Sequence, residues 1–346
     1  MSSSGKRGSV MPPFSFLYEL YYFMTRIRVG VLRGGPSTEY EVSLNTGKSV
    51  LDELSKHEDY QPIDIFIDKK GEWHLHGSPT DPADLHLHID IAFNAMHGEY
   101  GEDGQIQQIL ENIKMPYTGS GVVPSALAMH KGRAKKHFKD VGIPVAPSSE
   151  FSVTEGDEPA LREIFRTMPG PYIVKPLTGG SSVGVRIAHS YPELHEAVFA
   201  AAETSPDVLI ERLVKGREAT CGVIDDFRGE EHYALLPVEI VPPESSTFFD
   251  YNAKYSGGTQ EIVPGRFSRE ETDTIQDYAR RAHKALGMRD YSRSDFIVTP
   301  KQVYILETNS LPGLTSESLL PKSLNAVGSS VLEFLEHTIK RAHARR

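Results

Sequence analysis

Four polar side chains toward the C-terminal end, Arg293, Asp295, Glu307 and Asn309, stand at alternate positions of two short segments. Asp295-Phe296-Ile297-Val298-Thr299 and Val303-Tyr304-Ile305-Leu306-Glu307-Thr308-Asn309 read as two strands. Pro300-Lys301-Gln302 between them can form a three-residue hairpin loop. A loop of that length sets Asp295 opposite Glu307 and Arg293 opposite Asn309. Side chains alternate along strands, so all four share one face. Phe296, Val298, Tyr304 and Leu306 are then expected on the other, apolar face. Two opposed carboxylates repel unless a cation lies between them. An oxygen-rich Asp/Glu/Asn cluster suits Mg²⁺, which takes carboxylates together with phosphate oxygens. The competing reading is a solvated polar face with Arg293 as counter-ion.

A second candidate is glycine-rich. Tyr172-Ile173-Val174-Lys175-Pro176 reads as a strand, Leu177-Thr178-Gly179-Gly180-Ser181-Ser182 as a loop, and Val183-Gly184-Val185-Arg186-Ile187 as a returning strand. Glycines admit close backbone approach to a phosphate, and Lys175 could neutralise its charge. An ordinary hairpin loop explains the segment equally well. Upstream, the strand 27–33 ends in Arg33-Gly34-Gly35-Pro36-Ser37 before a helical pattern that begins near Glu39. Such turns aim backbone N–H groups at an anion. Neither familiar nucleotide loop is present. Val42 stands where the first glycine of a P-loop belongs before Gly47-Lys48-Ser49, and Pro124 follows Gly119-Ser120-Gly121 where a dinucleotide fingerprint needs its third glycine. His74/His76 and His86/His88 would each share a face if they lay on strands, but read as exposed imidazoles.

The elements that must hold these residues change character along the chain. Strands at 27–33, 63–67 and 89–95, with a helix at Gln105–Asn112, predict a parallel sheet covered by helices. A helix from Ser125 to Val141, closed by Gly142 and Pro144, leads into the hairpin region, so the fold class passes from α/β to α+β. The chain has 346 residues, enough for two or three domains. Its 37 basic and 47 acidic residues leave a net charge of −10, which argues against sequence-independent nucleic-acid binding. One cysteine, Cys221, excludes an internal disulfide and a multi-cysteine zinc site, and fits a reducing compartment. No apolar run is long enough for a spanning helix. Residues 1–25 read as an extension or mis-set start rather than a signal peptide, because Glu19 interrupts the apolar run and no small-residue cleavage site follows. Lys340, Arg341, Arg345 and Arg346 read as the basic end of a final helix.

Six motifs in order along the chain closely resemble D-alanine–D-alanine ligases of the ATP-grasp superfamily. They are Gly34-Gly35-Pro36-Ser37-Thr38-Glu39-Tyr40-Glu41-Val42-Ser43, His97-Gly98-Glu99-Tyr100-Gly101-Glu102-Asp103-Gly104, Pro116-Tyr117-Thr118-Gly119-Ser120-Gly121, Val174-Lys175-Pro176 with Gly180-Ser181-Ser182-Val183-Gly184, Phe249-Asp250-Tyr251-Asn252-Ala253-Lys254-Tyr255, and Glu307-Thr308-Asn309-Ser310-Leu311-Pro312-Gly313-Leu314-Thr315. The resemblance implies three domains, at 26–121, 122–210 and 211–346, with ATP gripped between the second and third. It implies that Lys131 and Lys175, with Gly180, Ser181 and Ser182, hold the phosphates. Glu211 and Glu218 would meet adenine and ribose, and Lys254 would reach the γ-phosphate. Asp295, Glu307 and Asn309 would hold two Mg²⁺ ions, with Mn²⁺ a possible substitute. Glu39 would take the ammonium of the first D-alanine, His97 and Arg293 its carboxyl group, and Ser318 and Leu319 the second D-alanine. Ser181 and Tyr255 would join Glu39 in positioning a lid at 245–260. Catalytic roles thus fall to Glu39, Ser181, Tyr255, Arg293 and Ser318.

The resemblance further implies a cytoplasmic homodimer that serves cell-wall precursor synthesis. Its alternatives are a D-alanine–D-lactate ligase, a ligase for another amino-acid pair and a non-catalytic nucleotide-binding homologue. Tyr255 favours the dipeptide-forming branch. Four positions depart from the family: His130 for a usual aspartate, Ser292 for a common glycine, Ser294 for an apolar residue and Ser310 for a frequent threonine.

Overall fold

The computed structural model describes residues 26–153, 158–180, 184–243 and 259–345, which form three sheets. The extension 1–25 and most of the expected lid lie outside the described residues. The first sheet contains β1 (Ile27–Gly34), β2 (Tyr60–Ile67), β3 (Trp73–Leu75), β4 (Ser78–Pro79) and β5 (Ile91–Asn94), in the order β4-β3-β2-β1-β5. β1 runs parallel to both β2 and β5, as strands separated by helical crossovers must. β3 and β4 add an antiparallel hairpin at one edge. Neither histidine pair shares a strand face. The chain reverses at His76 and Gly77, both at positive φ, just after His74 on β3. His86 and His88 lie on a short helix, Leu85–His88, and are exposed.

Helices cover both faces of this sheet, so β1 is buried along most of its length rather than alternating. Leu32 packs with Ile106 and Leu110 of the helix Gln105–Asn112. Val29 and Val31 pack in a cluster with Phe334, Leu335 and Ile339 of the last helix, Val331–His343. That cluster also takes in Ile224 and Tyr291 of the third sheet, so the two ends of the chain share a core.

The helix expected over 125–141 is two helices, Val122–Met129 and Lys131–Asp140. His130 separates them in an extended conformation (φ −90°, ψ 96°), and its side chain accepts the amide of Arg133. The imidazole therefore caps the second helix, the work a short carboxylate usually does at that position. The break leaves Lys131 on the first turn, facing the glycine loop.

The second sheet is antiparallel: β6 (Ser148–Ser152), β7 (Tyr172–Pro176), β8 (Arg186–Ala188) and β9 (Asp207–Arg212), ordered β6-β9-β7-β8. The helices Glu158–Thr167 and Tyr191–Ala202 cover it. β7 and β8 are the two arms expected around the glycine loop.

The third sheet contains β10 (Arg217–Phe227), β11 (Glu230–Ala234), β12 (Val238–Val241), β13 (Gln260–Ile262), β14 (Tyr291–Val298) and β15 (Val303–Asn309), ordered β13-β12-β10-β14-β15 with β11 on the far half of β10. The helix Arg269–Leu286, opened by a Ser268/Glu271 capping box, covers one face. Asp295 pairs with Glu307 and Arg293 with Asn309, as expected. The loop that joins the strands differs. Val298 pairs with Val303, and Thr299 N–H donates to the Gln302 carbonyl, leaving only Pro300 and Lys301 at the tip. A bulge at Leu306 then restores the register at the carboxylates. The apolar face accordingly consists of Phe296, Val298, Val303 and Ile305, all in the core, whereas Tyr304 and Leu306 are only half-buried.

Candidate active site

The first five residues of β14, the C-terminal end of β15 and the N-terminal part of β10 form one polar surface. Asp295 receives four donors there. The Thr220 hydroxyl gives to Oδ1 at 2.5 Å. Arg293 gives Nε to Oδ1 and Nη2 to Oδ2, both at 3.1 Å. Asn309 gives Nδ2 to Oδ2 at 3.1 Å, which leaves its amide oxygen for another partner. Thr220 carries no expectation from the sequence, although pairing β10 with β14 puts it directly across from Asp295. Glu218 lies on the same face, two residues away and half-buried. Two carboxylates, an amide and a hydroxyl on one face fit a hard cation such as Mg²⁺, which needs oxygen donors and tolerates carboxylates from adjacent strands.

Across from this surface lies a cationic one. Lys131 Nζ donates to the Gly179 carbonyl at 2.6 Å, so the glycine loop is tied to the start of a helix. Burial pushes the Lys131 ammonium down, and the Glu307 charge opposes it. Glu307 also acts on Lys175, whose ammonium stays above its usual range despite burial because of Glu211 and Glu307. Glu307 therefore stands within reach of both lysines. Glu211 is almost fully buried and ion-paired with Lys175 and with Lys135, a residue given no role from the sequence. Burial works against the Glu211 charge, but the two ammonium groups overcome it and hold the carboxyl at about 2.

A third group comes from the first sheet. Gly35 leads into Glu39, the first residue before the helix Tyr40–Leu54. A Cβ on Gly180 would overlap Glu39 Oε1, so the glycine loop and Glu39 are in contact and a side chain there would displace the Glu39 carboxylate. His97 is buried and shares a 2.8 Å hydrogen bond with Thr46. Burial, then the nearby Arg293 charge, lowers its imidazole to about 4, so it is neutral at pH 7. Glu102, in the same motif but given no role from the sequence, lies 3.9 Å from His97. Burial and the Glu39 charge push its carboxyl well above the usual range. Glu39, Glu102, His97 and Arg293 are thus one electrostatic group.

The floor is the loop after β15. Ser49 of the first-sheet helix donates to the Leu314 carbonyl at 2.9 Å. Ser318 shares a 2.8 Å hydrogen bond with the Thr315 hydroxyl and accepts the Thr315 amide. Leu319 follows as the first residue of the helix Leu319–Ala326. Ser181, Ser182, Lys254 and Tyr255 lie outside the described residues.

Arranged this way, an anion-rich surface faces a lysine-lined glycine loop, and a carboxylate, a neutral imidazole and a guanidinium close a third side. That geometry suits a polyphosphate with metal, beside a small zwitterion. The model of the D-ala D-ala ligase C-terminus matches residues 137–340, and that of the N-terminus matches residues 28–85 and 76–120. A D-alanine–D-alanine ligase of Syntrophobacter fumaroxidans is 38% identical over 323 residues, which are 92% of this chain and 98% of that protein. One from Geotalea uraniireducens is 40% identical over 323 residues, 91% of this chain and 95% of that protein. Among solved structures, the VanG D-Ala:D-Ser ligase of Enterococcus faecalis superposes with a TM-score of 0.82 at 30% identity, covering 92% of this chain and 99% of that one. D-alanyl-alanine synthetase A of Vibrio cholerae gives 0.81 at 27% identity, covering 93% and 99%. The architecture is that of the ATP-grasp fold, and the chain belongs to the D-alanine–D-alanine ligase family.

Proposed function

We propose that this enzyme joins two D-alanines into D-alanyl-D-alanine with hydrolysis of ATP to ADP, supplying a peptidoglycan precursor. The observation that carries the reading is the position of Glu307, opposite Asp295 and within reach of Lys131 and Lys175. A triphosphate held by the lysines there meets the carboxylates that would carry its metal. Glu39 holds the ammonium of the first D-alanine, and Arg293 and His97 its carboxylate. That carboxylate attacks the γ-phosphorus, ADP leaves, and an acyl phosphate remains. The amine of the second D-alanine, seated by Ser318 and Leu319, attacks the carbonyl, and phosphate leaves. Lys131, Lys175 and Arg293 stabilise the negative charge that develops, from fixed positions, and Lys254 would add its charge at the γ-phosphate. Asp295, Glu307 and Asn309 would hold Mg²⁺, two ions in the reading adopted here, which neutralise phosphate charge when bound. The glycine loop with Ser181 and Ser182, and a lid that carries Tyr255, would keep water from the acyl phosphate. Glu218 would take the ribose. Glu211 would act next to adenine while it balances Lys135 and Lys175. The units 26–121, 122–210 and 211–346 are the domains of this reading, with a cytoplasmic homodimer as the assembly. No helix among the described residues is long and apolar enough to cross a membrane.

The test is ADP release from ATP and Mg²⁺ with D-alanine alone, or with D-alanine plus D-lactate or D-serine, and the product identified by mass. D-alanine-dependent ADP with D-alanyl-D-alanine as product is the expected result. A preferred D-lactate or D-serine product would reassign the second subsite, and nucleotide binding without turnover on any pair would overturn the reading.

A further inference from the structure

On the far side of the third sheet lies a cluster that takes no part in this chemistry. Asp225, near the end of β10, pairs across the hairpin with His232 of β11, whose Nδ1 is 2.8 Å from Asp225 Oδ1. His283, on the helix Arg269–Leu286, is fully buried and brings Nε2 to 3.0 Å from the same oxygen. The three ligand atoms lie within 4.8 Å of one another.

By distance His283 Nε2 pairs with Asp225 Oδ1, yet the nitrogen makes no hydrogen bond of good geometry among the described residues. Its other nitrogen, Nδ1, is 2.8 Å from the Ser292 hydroxyl. With Nδ1–H donating to Ser292, Nε2 presents a bare lone pair to the cluster. An outer hydrogen bond that fixes the tautomer in this way is the usual companion of a metal-bound imidazole. The Asp225 carboxylate is oriented too. Its Oδ2 accepts the Asp290 amide at 2.9 Å and lies 3.5 Å from Arg341 Nη2, which leaves Oδ1 toward the imidazoles. His337 donates to the Asp225 carbonyl at 2.7 Å, and Glu231 lies 3.7 Å from the outer nitrogen of His232. Among the ion pairs of the described residues, Asp225, Asp226 and Asp290 meet two permanent cations, Arg341 and Arg345, so the three acids outnumber them.

We propose that Asp225 Oδ1, His232 Nδ1 and His283 Nε2 bind a divalent transition metal, Zn²⁺ in the first instance, with water as fourth ligand on the partly exposed His232 side. Ligand atoms of a tetrahedral zinc site lie about 3.3 Å apart, given bonds of about 2.0 Å. The two distances to Asp225 Oδ1, 2.8 and 3.0 Å, are within a few tenths of an ångström of that separation, and the whole set lies within 4.8 Å. Ser292 explains a departure from the family, since glycine there offers His283 no hydroxyl. Ser292 and Arg293 are neighbours on β14 and point to opposite faces, so the metal would not touch the reaction centre. It would instead clamp the β10–β11 hairpin to the helix Arg269–Leu286.

The test uses untagged, EDTA-treated full-length chain titrated with Co²⁺ and then Zn²⁺. The expected result is one Co²⁺ per chain with the strong visible bands of a tetrahedral nitrogen-containing site, displaced by Zn²⁺. His232→Ala, at a half-exposed position, should abolish the bands while Mg²⁺-dependent turnover is kept. Ser292→Gly should weaken binding by about 10- to 100-fold. Glu307→Gln should leave the bands unchanged, which separates this site from the reaction-side carboxylates. A wild-type chain without these bands, or a His232→Ala chain with unchanged affinity, would overturn the proposal.

Discussion

Two charge clusters line the candidate active site, one buried and one half-buried, and they are built in opposite ways. Around Glu211, one carboxylate is surrounded by Lys135 and Lys175, with Lys131 beside it, so the cluster has an excess of positive charge. Around Asp295, two carboxylates share Arg293, so that cluster has an excess of negative charge. Glu211 is satisfied without any ligand. Asp295 and Glu307 are opposed on neighbouring strands and relieved only in part. The first cluster is therefore part of the scaffold as well as an anion trap, whereas the second is poised for a cation.

The sharpest way to break this comparison is Glu211→Gln, which leaves two buried ammonium groups without a carboxylate. Unfolding in urea should show a loss of about 3–5 kcal/mol. The folded Glu211 carboxyl lies at about 2, below an ordinary value of about 4.3. Its contribution is complete above the ordinary value and is lost as pH falls through about 2. The variant should lose that part of the acid dependence. Glu307→Gln should behave in the opposite sense. Turnover should fall by about 10²–10³-fold or more, while the melting temperature without Mg²⁺ is unchanged or higher, because a repulsion has been removed. A drop in stability like that of Glu211→Gln would dissolve the distinction.

His97→Gln sharpens the third side of the site. The folded imidazole lies at about 4, against about 6.5 for an ordinary histidine. Wild-type stability from this residue is complete above pH about 6.5 and falls as pH drops toward about 4. The variant should show a flatter profile over that window in thermal melts. Thr220→Val is the mildest. It removes one donor from Asp295 and should raise the Mg²⁺ concentration for half-maximal activity by no more than about tenfold.

The polar face of the β14–β15 hairpin was legible because strand alternation is a strict rule and the carboxylates stand out against Phe296 and Val298. The loop was not. Proline at its tip allowed a shorter turn, and the bulge at Leu306 compensated, so the expected pairing at the carboxylates arose by a different route. Such compensation has no signature in residue types. The helix break at His130 was hidden for a related reason, since histidine is not a common cap. Lys135 carried no expectation because nothing in the local sequence announces Glu211, which arrives from a strand far along the chain. Glu102 was visible within a motif, but its role depends on burial next to Glu39, a fact of packing rather than of spacing.

The last helix completes the core beneath the first strand, with Phe334, Leu335 and Ile339 against Val29 and Val31. Val50 and Leu54 of the helix Tyr40–Leu54 cover part of that face early, but the cover is completed only when the helix Val331–His343 has left the ribosome. A chain stopped short of residue 331 would leave part of that apolar face open, a surface that invites chaperones or aggregation. Completion of the first sheet's core is thus tied to the last helix of the chain, and a closure spanning nearly the whole sequence is intrinsically slow.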